Sequence, residues 1–172
     1  MDRTPNTFTL ILVATLIGLV SLSQCRQKPQ TLAEKIDLLQ HQIVADSTAL
    51  HHLENIEYKN LKDDFIRCDA GLQRLEADQV ETVFESLNLT QAYIGQFEEV
   101  CPDMRRKMRY SLLQLDRLKA DADSHYITDS LALAYLETER RVADTLHSRV
   151  AYFQEKLDAC HKDLDAIKKK QH

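Results

Sequence analysis

The chain has no tryptophan and only three glycines and three prolines among 172 residues. A β-sandwich or barrel needs a turn roughly every ten residues, and this composition cannot supply the residues that make such turns. Aromatic side chains are also scarce, at 6% against 28% charged residues, a balance that favours long amphipathic helices or coiled coil. Positive charge is in the minority. The net charge of −5 removes the electrostatic footprint of a non-specific nucleic-acid binder. The one basic cluster, Lys168-Lys169-Lys170, suits the negative end of a helix dipole. There is no glycine-rich phosphate loop and no strand-turn-helix unit to carry one.

Long apolar runs are missing too, with one exception near the start. After the single basic residue Arg3, an apolar stretch runs from Phe8 to Val20 and leads to Leu22-Ser23-Gln24-Cys25. About 13 to 15 apolar residues fall short of the roughly 20 that span a bilayer as a helix. The order of basic start, short apolar stretch and small-residue exit predicts a secretory signal peptide over residues 1–24. Two alternatives stay open: an uncleaved anchor, which Arg26 and Lys28 oppose, and ordinary cleavage after Ser23 at the small-x-small pair Ser21 and Ser23.

Leu22-Ser23-Gln24-Cys25 resembles the lipobox of bacterial lipoproteins, with Gln24 standing where that family has a small residue. In the family, the cysteine three residues after the leucine is diacylated and becomes the mature N-terminus. The resemblance implies lipidation at Cys25, a lipidated linker over residues 25–30, and a place in the bacterial cell envelope. The expected site is the outer membrane, facing the periplasm, because Arg26 and Gln27 follow the cysteine.

The remainder reads as helices. Thr31-Leu-Ala-Glu34 is a capping box that opens the first helix. Its apolar seam runs through Leu32, Ile36, Leu39, Ile43, Leu50 and Leu53 in steps of fours and threes, with Asp46 at one seam position. The phase slips between Leu53 and Leu61. A second stripe, through Leu61, Phe65, Cys68, Leu72, Leu75, Val80, Val83 or Phe84, and Leu87, carries the helix past Gly71 to about residue 87, with the glycine read as tolerated within it. Asn88-Leu-Thr-Gln91, a second box-like segment, predicts the first turn. The middle helix then covers about 89 to 121, either kinked at Pro102 or broken at Cys101 with Pro102 and Asp103 opening a new helix, and Asp121-Ala-Asp123-Ser124 is the second turn. The last helix is expected to present Ile127, Leu131, Tyr135, Val142, Leu146, Val150, Phe153, Leu157, Cys160, Leu164 and Ile167.

Three helices joined by two short turns predict an all-α, elongated antiparallel three-helix bundle or coiled coil. A middle helix of about 33 residues reaches about 50 Å, so overhanging helix ends are expected. Residues 31–55 form a helical stalk and 56–172 the bundle. The stalk seam of Leu32, Ile36, Leu39, Ile43, Asp46, Leu50 and Leu53 is then the partner-binding surface, for another envelope protein or a second copy.

Candidate chemistry is thin. His147 and His161 each follow an aspartate by three residues, Asp144 and Asp158, a spacing used in carboxylate-bridged metal bundles. Both pairs lie on one helix, about 21 Å apart, so no metal site, cofactor or catalytic residue is assigned. Cys68, Cys101 and Cys160 occupy seam positions, where a thiol behaves as a small hydrophobe. The expected function is non-enzymatic: a membrane-tethered helical lipoprotein serving as a structural or adaptor subunit of an envelope assembly. A periplasmic holdase with helical arms is the alternative, and a metal-dependent helical-bundle enzyme comes third.

Overall fold

A computed structural model describes residues 31–171; the expected signal peptide, Cys25 and the expected linker lie outside the described residues. The chain from Leu32 onward is a compact unit with its own core. It is an all-α bundle of three antiparallel rods. The first rod is composite: α1 (Leu32–His52), a π-helical turn (Leu53–Glu57) and α2 (Tyr58–Ala70). His52 and Tyr58 both keep right-handed helical dihedrals, so the backbone runs through the joint without a break. A short 3-10 turn, Leu72–Arg74, leads to α3 (Ala77–Asp123), and the last rod is α4 (Asp129–Lys170).

Each rod buries a stripe built mainly of steps of four and three, with a step of seven from Leu136 to Ala143 on α4 and one of eight from Leu53 to Leu61 on the first rod. On α3 the stripe is Val83, Leu87, Thr90, Ile94, Phe97, Cys101, Met104, Met108, Ser111, Leu115 and Leu118; on α4 it is Ala132, Leu136, Ala143, Leu146, Val150, Phe153, Leu157, Cys160, Leu164 and Ile167. Such spacing is the seam of a left-handed coiled coil. Each fully buried Leu, Ile or Met contributes about 1.5–3 kcal/mol relative to exposure. Phe97 sits at the middle of the core, 5.2 Å edge-on from Phe153 and 5.4 Å from the Tyr58 ring.

The first turn is not at Asn88–Gln91. That segment lies inside α3, with Leu87 and Thr90 buried, and the chain reverses instead just after Gly71. Here α2 ends, with the Gly71 amide bonded back to the Arg67 and Cys68 carbonyls. A Cβ on Gly71 would lie 2.5 Å from the Gln171 side chain, whose Nε2 donates to the Cys68 carbonyl at 2.8 Å. The glycine makes room for the far end of the chain to cap α2. The apolar register misled because Leu72 and Leu75 still pack on the core after the helix has stopped.

With the turn at Gly71, the middle helix has 47 residues and extends about 70 Å. It reaches the whole first rod, and the expected overhang vanishes. Ile36, Leu39, Ile43, Leu50 and Leu53 are buried, and Leu32 is partly buried against the same core. Their neighbours are α3 and α4: Lys119 Nζ lies 2.6 Å from Asp37, Gln40 donates to Asp116 at 2.6 Å and Gln42 to Asp144 at 3.4 Å. The stalk seam is therefore an internal surface. The described residues of the expected stalk, 31–55, and of the expected bundle, 56–172, are parts of one bundle.

The second turn follows Asp123 closely. Tyr126 N–H bonds to the Asp121 carbonyl at 2.9 Å and His125 N–H to the Ala122 carbonyl at 3.1 Å, the paired bonds of a Schellman cap. His125 takes the left-handed position with φ 56°. Thr128 then caps α4 by accepting from the Leu131 amide. The first half of the α4 seam is Ala132, Leu136 and Ala143, one residue out of step with the expected Leu131, Tyr135 and Val142. Small alanines let the helices approach, while the larger Leu131 and Tyr135 face outward.

Candidate functional site

The π-helical turn explains the phase slip. Leu53 and Leu61 are both fully buried, yet they are eight positions apart where a heptad allows seven. One extra residue must be absorbed between them, and a π turn does so by widening a single helical turn. The phase slip expected between Leu53 and Leu61 thus coincides with a change of helix type inside one rod.

Polar groups from the other rods gather along this part of the first rod. Glu54 meets Arg105 of α3 at 3.3 Å. His161 of α4 lies 3.1 Å from the Glu57 carbonyl oxygen and 3.5 Å from its carboxylate. A carbonyl can only accept, so Nε2 of His161 carries the proton. On the outer side, Tyr58 OH donates to Glu98, and Lys62 donates to the same carboxylate at 3.0 Å. Those two bonds hold the Glu98 carboxyl below its ordinary range, while burial and the Glu98 bond push the Tyr58 hydroxyl up.

About two turns before the π segment, Asp46 occupies its seam position with 6% exposure. Nδ1 of His147 on α4 lies 2.8 Å from Asp46 Oδ1, whereas Asp46 Oδ2 is buried with no hydrogen-bond partner. The bond to Asp46, and then its charge, raise the His147 pKa above the ordinary histidine value; Asp144 adds to the shift. His147 and His161 therefore face carboxylates on the first rod, Asp46 and Glu57, and not the aspartates that precede them. Sequence inspection missed these partners because the pairings cross between rods. The only hint was that Asp46 and His147 both interrupt or flank an apolar seam.

No protein-family model matches the chain, and comparisons with curated proteins and with solved structures find no match.

The thiols take no part in these pairs. Cys68, Cys101 and Cys160 are buried and free. Burial pushes the Cys101 thiol up to about 11, with nearby Glu54 adding to the effect. Burial also raises Cys160, opposed by a hydrogen bond with Thr90, and raises Cys68. At neutral pH these sulfurs are protonated and poor nucleophiles. Ser111, the other buried hydroxyl, donates to Glu139 at 2.6 Å. Among the described residues, no group of three or more His, Cys, Asp or Glu side chains is placed to hold a metal ion.

Proposed function

We propose that this protein is a membrane-tethered helical lipoprotein of the bacterial cell envelope, in which a lipid on Cys25 anchors a rigid three-helix spacer or adaptor. The observation that carries the reading is the short apolar run ending in Leu22-Ser23-Gln24-Cys25, followed within a few residues by a helical body that buries its own seams. Support comes from the described helices, none of which is long and apolar enough to cross a membrane.

The role is proposed to be non-catalytic, because the conspicuous polar groups are spent on inter-rod pairs and the thiols are protonated by burial. A rigid rod about 60 Å long, from 42 residues in α4 at about 1.5 Å each, suits holding a partner at a set distance from a bilayer. Contact with that partner would use the outer faces of the rods, since the first seam is covered.

Intact mass of the mature protein tests the anchor. Acyl chains on Cys25, and release from membranes on Cys25→Ser, are the expected results. An unlipidated mature chain beginning at Gln24 would overturn the proposal.

A further inference from the structure

Both ends of the bundle expose apolar side chains, Ile66 and Phe84 among them at the Gly71 end, but their turns differ. At the Gly71 end, the turn exposes Gln73, Arg74 and Glu76, and Gln171 covers the α2 terminus. At the other end, the turn between α3 and α4 holds Tyr126 at 85% exposure, followed on α4 by Leu131 and Tyr135 at 44% and 54%. Leu131 and Tyr135 are one helical turn apart and share a face. Tyr126, Ile127 and Tyr135, with Leu118 and the charged Arg117, Asp121 and Glu139, line a groove of about 390 Å³ between α3 and α4. The Schellman cap, with His125 in the left-handed position, directs the chain outward at Tyr126.

The α3–α4 end is also where the first rod begins. Asp37 pairs with Lys119, so stepping five residues back along α1 and five forward along α3 brings Leu32 level with Ser124. A lipid on Cys25 would be joined to Thr31 by six residues, which span at most about 20 Å. The Gly71 end lies about 60 Å away along the rods. Only the α3–α4 end is within reach of a bilayer when the bundle stands upright on such a tether.

We infer that the α3–α4 end is a membrane-contact surface, on which Tyr126, Ile127, Leu131 and Tyr135 enter the headgroup region of the bilayer that holds the lipid anchor. The inference rests on the proposed tether. Tyrosine suits this position because its ring is apolar and its hydroxyl remains wet. Acidic Asp121, Asp123 and Asp129 stand at the same end, so the contact favours zwitterionic lipid and does not depend on anionic headgroups. Fixing the tip in the interface sets the rod upright.

The chain has no tryptophan, so one introduced indole reports its surroundings without background. Tyr126→Trp and, as the far-end control, Ile66→Trp would be made in the body from Arg26 onward, which carries its own core. A hexahistidine segment placed before Arg26 would hold it on phosphatidylcholine vesicles containing nickel-chelating lipid and brominated acyl chains. The indole at 126 should shift to the blue and be quenched several-fold more than the indole at 66, equally at low and high salt. Equal quenching at both positions, or none at either, overturns the inference. So does a blue shift at 126 that appears without vesicles and grows with protein concentration, which would mean that the tip pairs with a second copy. Because this tether is artificial, the result is independent of whether Cys25 is acylated, which the intact mass reads separately.

Discussion

Nδ1 of His147 lies 2.8 Å from Oδ1 of Asp46, while the second Asp46 oxygen is buried without a partner. The pair joins the first and last rods at a seam position, and its worth depends on the imidazole being charged. A raised histidine pKa in the folded state means that the contribution is complete below the unfolded value of about 6.5 and is lost as pH rises through the higher folded value. Thermal unfolding followed by circular dichroism should show stability falling from about pH 6 towards pH 9. His147→Gln should flatten that slope; an unchanged slope in this variant would remove the pair from the explanation.

Asp46 is also predicted to cost stability for the sake of register. Replacing it with leucine fills a seam position with an apolar side chain and relieves a half-satisfied buried carboxylate. Asp46→Leu should stabilise the bundle at pH 8 by about 1–3 kcal/mol in denaturant titrations, as replacement of buried charge by apolar groups often does. A loss of stability would show that the orphaned oxygen has a role in holding the rods together.

The seam at the start of the first rod is internal, which makes a distinct prediction from a free stalk. Ile36→Lys combined with Ile43→Lys places two charges among α3 and α4 core residues, where nothing can pair them. The whole bundle should lose several kcal/mol, read as a lowered unfolding midpoint. Unchanged unfolding with an altered sedimentation mass would instead mark residues 31–53 as an intermolecular surface.

The π turn predicts an asymmetry between two single-residue deletions. Ile56 and Val44 are both about half exposed, so neither deletion removes core. Deleting Ile56 converts the wide turn to an ordinary α-helical one and leaves both flanking seams in phase. Deleting Val44 rotates Leu32 to Ile43 by about 100° relative to the rest of the seam. Unfolding temperature should drop far more for the second; equal losses would refute the one-extra-residue account.

At the chain reversal, Gly71→Ala should lower stability by no more than about 1 kcal/mol, because the Gln171 side chain can swing aside at the cost of its bond to the Cys68 carbonyl. In a Gln171→Ala background that cost is already taken, and Gly71→Ala should become neutral or mildly stabilising. The double-mutant cycle therefore has a coupling of defined sign, and its absence would dissociate Gly71 from Gln171.

Much of the architecture follows from periodicity alone. Leu32 to Leu53, Ile94 to Leu118 and Leu146 to Ile167 announce their seams in the spacing of apolar residues, and Thr31 marks where α1 starts. Apolar spacing is a local property, since it depends only on which side chains one helix turns to one face. The slip after Leu53 was legible for the same reason. What the spacing does not contain is the identity of the facing surface. Gly71 ends the helix where the side chain of Gln171, a hundred residues away, fills the space a Cβ would need. Thr90 and Ser111 sit in the α3 seam because Cys160 and Glu139 satisfy them, and small Ala132 outranks Leu131 because a neighbouring rod comes close. Asp46 looked like a selector of outside partners until His147 faced it. These choices belong to the tertiary structure, because each is settled by a contact between residues remote in the chain and by whether a buried polar group finds its partner there.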